Sequence, residues 1–224
     1  MRKRNRRLVP AAVLTVLLSA LPTAVATASA ATGPQSGPYT PPTAAAPAVP
    51  TPAPAVDRPA LPTAVADRRL PITMQAQQKS NWCWAAAGNT IATWFGRNYT
   101  QNQFCNAAFH RRQGYECPNN QATLGNVQNA LDWAGINPGS YVSGWLRYST
   151  VQTEINAGRP IETRIQWSGG GGHMHVLYGY DTDGSYVYWG DPWPSNYRYN
   201  WASHAWYVNN STFSWTHSLY RIGA

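Results

Sequence analysis

Cys83 lies in the run Asn81-Trp82-Cys83-Trp84-Ala85-Ala86-Ala87, where the sequence predicts the start of an apolar helix. A thiol attacks a carbonyl as its thiolate, and the unpaired amides and dipole at a helix N-terminus favour that anion. Such a nucleophile needs a base, and the chain holds five histidines. His110 lies between Cys105 and Cys117, and His204 and His217, in the C-terminal aromatic region, have no evident neighbour to orient them. His173 and His175 open a predicted strand directly after Gly169-Gly170-Gly171-Gly172, where missing side chains let a substrate backbone approach. Asp191 follows the next strand of the same predicted hairpin. A carboxylate there can accept the second ring N–H of a histidine and fix its tautomer, with Pro192 and Trp193 shielding the bond. Gln77, six residues before Cys83, carries an amide that can join the Cys83 backbone N–H in stabilising an oxyanion; Gln75 and Gln78 compete for that role. Together these residues point to acyl transfer through a thioester, which requires no metal or organic cofactor.

His173 and His175 alternate along one strand and so share a face, an arrangement that can also bind a metal. That reading needs third and fourth ligands, and the sequence offers no paired cysteines or histidines to supply them. The chain has three cysteines, so at least one is unpaired. Cys105 and Cys117 flank a short polar segment; bridging them would contribute roughly 3 kcal/mol in the chain-entropy model. Cys83 is then the free thiol.

The elements that must position these residues change period along the chain. A helix is predicted over Trp84 to Phe95, capped by Ser80 or Asn81 and ended by Gly96. Thr100 with Gln103 forms a capping box for a second helix reaching about Phe109. Leu124, Val127, Leu131 and Ala134 recur at helical spacing after Thr123, with Gly135 as C-cap, and Ser149 with Gln152 starts a fourth helix ending at Gly158. Strands follow over Pro160 to Trp167, His173 to Tyr180 and Ser185 to Trp189, with further strands at Trp206 to Val208 and Trp215 to Ile222. Helices first and antiparallel strands second give an α+β layout, the two regions packed face to face.

The first 30 residues read as a secretory signal: Arg2 to Arg7 are basic, Leu8 to Leu21 apolar, and Ala28-Ser29-Ala30 fits a cleavage site. Residues 31–67 read as a linker or short pro-segment, since residues 31–66 hold ten prolines. Arg68-Arg69 is a candidate processing site, with a chance basic pair at a domain edge as the alternative. The working domain is expected over residues 68–224, exported and without a membrane span. The full chain carries a net charge of +8, but removing the five basic residues of the first seven positions leaves 12 basic and 9 acidic residues, a net of +3. That excludes a basic nucleic-acid-binding protein. All eleven tryptophans fall between Trp82 and Trp215, which excludes disorder there.

Gln77-Gln78-Lys79-Ser80-Asn81-Trp82-Cys83-Trp84-Ala85-Ala86 resembles the nucleophile segment of papain-like cysteine peptidases, where a glutamine lies six residues before a Cys-Trp that starts the central helix. Gly172-His173-Met174-His175-Val176-Leu177-Tyr178-Gly179-Tyr180 is similar to the family's histidine strand, and Gly190-Asp191-Pro192-Trp193 to the aspartate variant of its third position. These pieces, with Trp215-Thr216-His217-Ser218-Leu219-Tyr220-Arg221-Ile222, look like a small bacterial branch of exported effector proteases related to staphopain-like enzymes. The resemblance implies Cys83 as nucleophile, His173 as base and acid, Asp191 as orienter and Gln77 as oxyanion donor. His175 departs from a position that is usually apolar, and the segment from Cys105 to Cys117 has no placed counterpart.

The expected function is therefore a secreted cysteine endopeptidase acting on protein or peptide substrates. A cell-wall amidase or transpeptidase would use the same residues on a different acyl donor. A catalytically silent module binding glycans through the aromatic surface from Trp189 to Trp215 is a third alternative.

Overall fold

A computed structural model describes residues 66–224. The expected signal and nearly all of the expected linker lie outside the described residues. Five helices and seven strands follow in order: β1 (Asp67–Arg69), α1 (Cys83–Trp94), α2 (Gln101–Ala108), α3 (Leu124–Trp133), β2 (Ser140–Val142), α4 (Tyr148–Asn156), β3 (Ile161–Trp167), β4 (Gly172–Asp181), β5 (Tyr186–Gly190), β6 (Tyr199–Ser203), α5 (His204–Val208) and β7 (Phe213–Tyr220). The helices dominate the N-terminal part and an antiparallel sheet the C-terminal part, the α+β arrangement expected from the sequence.

The α1 sequence, CWAAAGNTIATW, is rich in small residues, and nine of its twelve positions are buried. It is the central helix, packed on β4 and β3 on one side and on α2 and α3 on the other. Gly88 makes the second packing possible: a Cβ there would lie 2.6 Å from Phe104 Cζ and 3.0 Å from Val127 Cγ1. Both neighbouring helices begin with reciprocal capping boxes, Thr100 with Gln103 and Thr123 with Asn126, which satisfy N-terminal amides that have no acceptor within the helix.

The sheet runs β2-β7-β3-β4-β5-β6, with β1 added to β4. β1 pairs with the C-terminal end of β4, Arg68 opposite Tyr180 and Arg69 opposite Gly179. The Arg68-Arg69 pair, read as a candidate processing site, is therefore an exposed strand of the sheet, and the sheet reaches one residue into the expected linker. The strand expected at Trp206 to Val208 is instead the end of α5, whose first turn is capped by the Ser203 hydroxyl accepting from the Trp206 amide. Opposed residues share a face, so the register Thr163↔His175 and Ile165↔His173 puts both histidines on one side of the sheet with Thr163.

Candidate active site

Cys83 is the first residue of α1, so its backbone N–H belongs to the orphan donors of the helix start. The expected side-chain cap is absent: Ser80 Oγ accepts from Asn119 Nδ2 at 2.8 Å and Asn81 bonds Asn119 through its own amide and side chain. The loop before the nucleophile is thereby tied to residues 117–120. Trp82 Nε1 donates to Pro118 O and Trp84 Nε1 to Asn120 O, each at 3.1 Å, while Lys79 Nζ reaches Cys117 O at 2.7 Å. Cys105 and Cys117 form a disulfide at the base of this segment, and Cys83 is the free, half-buried thiol. Residues 117–120, which follow directly on the unplaced Cys105–Cys117 segment, brace the nucleophile loop.

Facing Cys83 is His173 at the start of β4, hydrogen-bonded to its thiol. The His173 Nε2 lies 2.8 Å from Asp191 Oδ1, which leaves Nδ1 for the sulfur. Asp191 is held by further donors: Trp193 N–H at 2.8 Å on Oδ1 and Asn196 Nδ2 at 2.8 Å on Oδ2. Arg198 donates to the Asp191 backbone carbonyl. Trp167 stacks on the His173 ring with centroids 5.9 Å apart, and Trp193 approaches edge-on at 6.3 Å. These rings screen the histidine–carboxylate bond from water, which strengthens it.

Burial alone would push the Cys83 thiol up, but the hydrogen bond and charge of His173, with the backbone amides of Met174 and Trp84, outweigh it and hold the thiol below its usual value. Burial alone would lower His173, yet its bonds to Asp191 and Cys83 raise it to about 10. Burial opposes ionisation of Asp191 too, and the hydrogen bond from His173, with the His175 ring close by, overcomes it, so the carboxylate is held well below its ordinary range. The three shifts agree: the imidazolium stabilises both the thiolate and the carboxylate, and each anion in turn raises the imidazole.

A family model described as papain-like cysteine protease AvrRpt2 matches residues 64–212. The chain belongs to this family of papain-like cysteine proteases. As a member it is a hydrolase of peptide substrates. Among solved structures, this protease is similar to xylellain, a cysteine protease from Xylella fastidiosa, at 12% identity over 70% of this chain and 86% of that one, with a TM-score of 0.47. It is also similar to a double glycine motif protease from an AMS/PCAT transporter in complex with the leader peptide, at 17% identity over 68% of this chain and 93% of that one, with a TM-score of 0.43. None of the curated proteins compared with the chain matches it. No helix among the described residues of the protease is long and apolar enough to cross a membrane.

The structure brings Cys83, His173 and Asp191 together. It places Gln77 differently from a free oxyanion donor: the buried side chain turns Nε2 onto Lys79 O and Ser80 O, each at 2.9 Å. The Gln77 backbone N–H bonds Pro192 O at 2.8 Å, linking the nucleophile side of the protease to the Asp191 turn. His173, His175 and Asp191 offer three possible metal-ligand atoms within 4.8 Å of one another, all buried. Asp191 already accepts three hydrogen bonds, so an ion there would displace donors that serve the protease chemistry.

Two residues escaped sequence reasoning. Glu162 on β3 is fully buried, with both carboxylate oxygens unpaired. Burial, and then the negative charge of Cys83, hold it protonated well above the ordinary carboxylate value. A glutamate in a strand ordinarily signals an exposed face, so the sequence contained no warning of it. Tyr207, on α5, lies over the histidine face of the sheet, in a segment expected to be a strand.

Proposed function

We propose that the protein is an exported endopeptidase working through a thiolate–imidazolium pair. The Cys83 thiolate attacks a peptide carbonyl, and His173 gives its Nδ1 proton to the departing amine. Neutral His173 then activates water, which releases the acyl group and restores the free thiol. Asp191 stays ionised throughout and holds the His173 tautomer. The Cys83 N–H stabilises the oxyanion, joined by Gln77 when it shares one amide proton between Ser80 O and the substrate. The observation that carries this reading is the ordered hydrogen-bonded set Cys83–His173–Asp191 at the start of a helix.

Export is supported by the basic, apolar and small-residue segments of the first 30 residues, and by a disulfide of the kind oxidising compartments maintain. The test is to label the protein with an iodoacetamide probe, locate the modified residue, and assay a peptide library beside purified peptidoglycan. Modification at Cys83, with peptide cleavage lost in a folded Cys83→Ala variant, is expected. Undiminished peptide cleavage by Cys83→Ala would overturn the assignment, and cleavage of peptidoglycan alone would favour a cell-wall amidase.

A further inference from the structure

The mechanism leaves a buried histidine unused beside the site. His175 sits two positions after His173 on the same face of β4, is 2% exposed, and is placed on the far side of the same carboxylate. We propose that Thr163, Tyr207 and His175 form a one-directional hydrogen-bond chain that fixes Asp191 from the side opposite His173, so that His175 is a positioning residue. This inference rests on the role given above to Cys83, His173 and Asp191.

The proton directions follow from the geometry. His175 Nε2 lies 3.6 Å from Asp191 Oδ2, just beyond hydrogen-bond distance, and bonds no other atom, so its link to the carboxylate is electrostatic. A bare nitrogen lone pair buried against a carboxylate is repelled, whereas an N–H there is attracted, so the proton of neutral His175 belongs on Nε2. The other nitrogen, Nδ1, is then an acceptor, and the Tyr207 hydroxyl, 3.1 Å away, must donate to it. That leaves the Tyr207 oxygen to accept from Thr163 Oγ1 at 2.7 Å. Each member has one proton, and all three point towards Asp191. No proton is transferred along the chain; it sets an orientation.

The surroundings support a neutral His175. The ring lies among Trp189, Tyr207 and Phe213, with the charged His173 ring at its edge and the Asp191 carboxylate 3.6 Å from Nε2. Burial pushes its pKa down, and the nearby His173 charge acts in the same sense against the pull of Asp191. The two histidines straddle the carboxylate, His173 bonded to Oδ1 at 2.8 Å and His175 facing Oδ2 at 3.6 Å, so rotating it would lose the bond and the electrostatic contact at once. Asn196 and the Trp193 amide come from the chain just after Asp191 and move with that turn, while His175 belongs to the sheet that carries His173. The chain therefore locks the turn to the histidine strand.

The test begins with the wild-type enzyme. Nitrogen-15 NMR of labelled histidine reports which His175 nitrogen carries the proton: Nε2 is expected, and the Nδ1–H form overturns the proposal. Kinetics of Tyr207→Phe, His175→Phe and His175→Gln follow across pH. Tyr207→Phe and His175→Phe are expected to lower kcat about tenfold with KM within about twofold, and to move the alkaline limb of kcat/KM down as His173 loses a fixed carboxylate. His175→Gln, whose amide can donate from the Nε2 position, should restore most of both. A lowered Tm with an unmoved alkaline limb, or equal losses in the glutamine and phenylalanine variants, would reduce His175 to packing. An upward shift of the limb would mean that His175 competes with His173 for the carboxylate. Should His175→Phe fail to fold, Tyr207→Phe, which deletes one oxygen, and the wild-type tautomer decide the matter. Cleavage by Cys83→Ala would sink the parent mechanism, while the NMR result judges the chain separately.

Discussion

The two sides of the catalytic pair are held by different physics. The nucleophile side is helical and local: α1, the 79–82 loop and residues 117–120 are joined by hydrogen bonds to backbone carbonyls, two from indole N–H groups and one from the Lys79 ammonium near the surface, above a disulfide. The histidine side is a sheet whose polar groups are buried, charged and surrounded by aromatic rings. Hydrogen bonds to backbone carbonyls can be lost one at a time at about 1 kcal/mol each, whereas removing one member of a buried charged set leaves the others uncompensated. The nucleophile side is thus built to tolerate damage, and the histidine side to demand completeness.

The largest expected break of this contrast is Asp191→Ala. It removes the acceptor for His173 Nε2 and for Asn196, and should cost about a hundredfold in kcat, with the His173 pKa falling from its raised position; single-turnover kinetics and NMR titration read both. A fall below threefold would show that the aromatic rings alone orient the histidine. On the nucleophile side, replacing both Cys105 and Cys117 by serine should reduce stability by about 3 kcal/mol in chemical denaturation while kcat/KM at low temperature drops less than tenfold. A loss of activity as deep as that of Asp191→Ala would mean that the brace is part of the chemistry.

The smallest effect concerns Glu162, which lies between the two regions. Its folded pKa is raised, so the folded state keeps a proton that the unfolded chain loses above its ordinary carboxylate value. Stability contributed by the neutral acid is thus lost as pH climbs from about 4.5 towards the folded pKa. Glu162→Met should flatten that slope and stabilise the fold at neutral pH by about 1 kcal/mol, because an apolar group replaces two unpaired oxygens. Identical pH dependence of the melting temperature in the two proteins would contradict this.

The same contrast explains what was legible in the sequence. The capping box at Thr100 and the helical spacing of Leu124, Val127, Leu131 and Ala134 are local signals, so α2 and α3 could be read directly, as could the hairpin from β4 to β5. The start of α1 was blurred because Ser80 and Asn81 spend their polar groups on Asn119, thirty-nine and thirty-eight residues away. The three-residue strands β1 and β2 owe their existence to distant partners, β4 and β7, and carry no pattern of their own. In the aromatic segment from Tyr199 to Val208, tryptophans and tyrosines suit either period; the Ser203 cap and the bond from His204 Nε2 to Leu146 O select a helix for its second half. Cys83, His173 and Asp191 each had a local signature. Tyr207 and Glu162 act through register and burial, which no short window contains.

The central claim is that Cys83 is ionised by its partner histidine at neutral pH. The most direct measurement is the rate of Cys83 alkylation by iodoacetamide as a function of pH, followed by mass spectrometry in the wild type and in His173→Ala. Reactivity is expected to set in below the ordinary thiol range and to change again as His173 gives up its proton near pH 10. In His173→Ala the reactivity should move up to an ordinary thiol titration. A single rise at about pH 8.5, the same in both proteins, would contradict the pair.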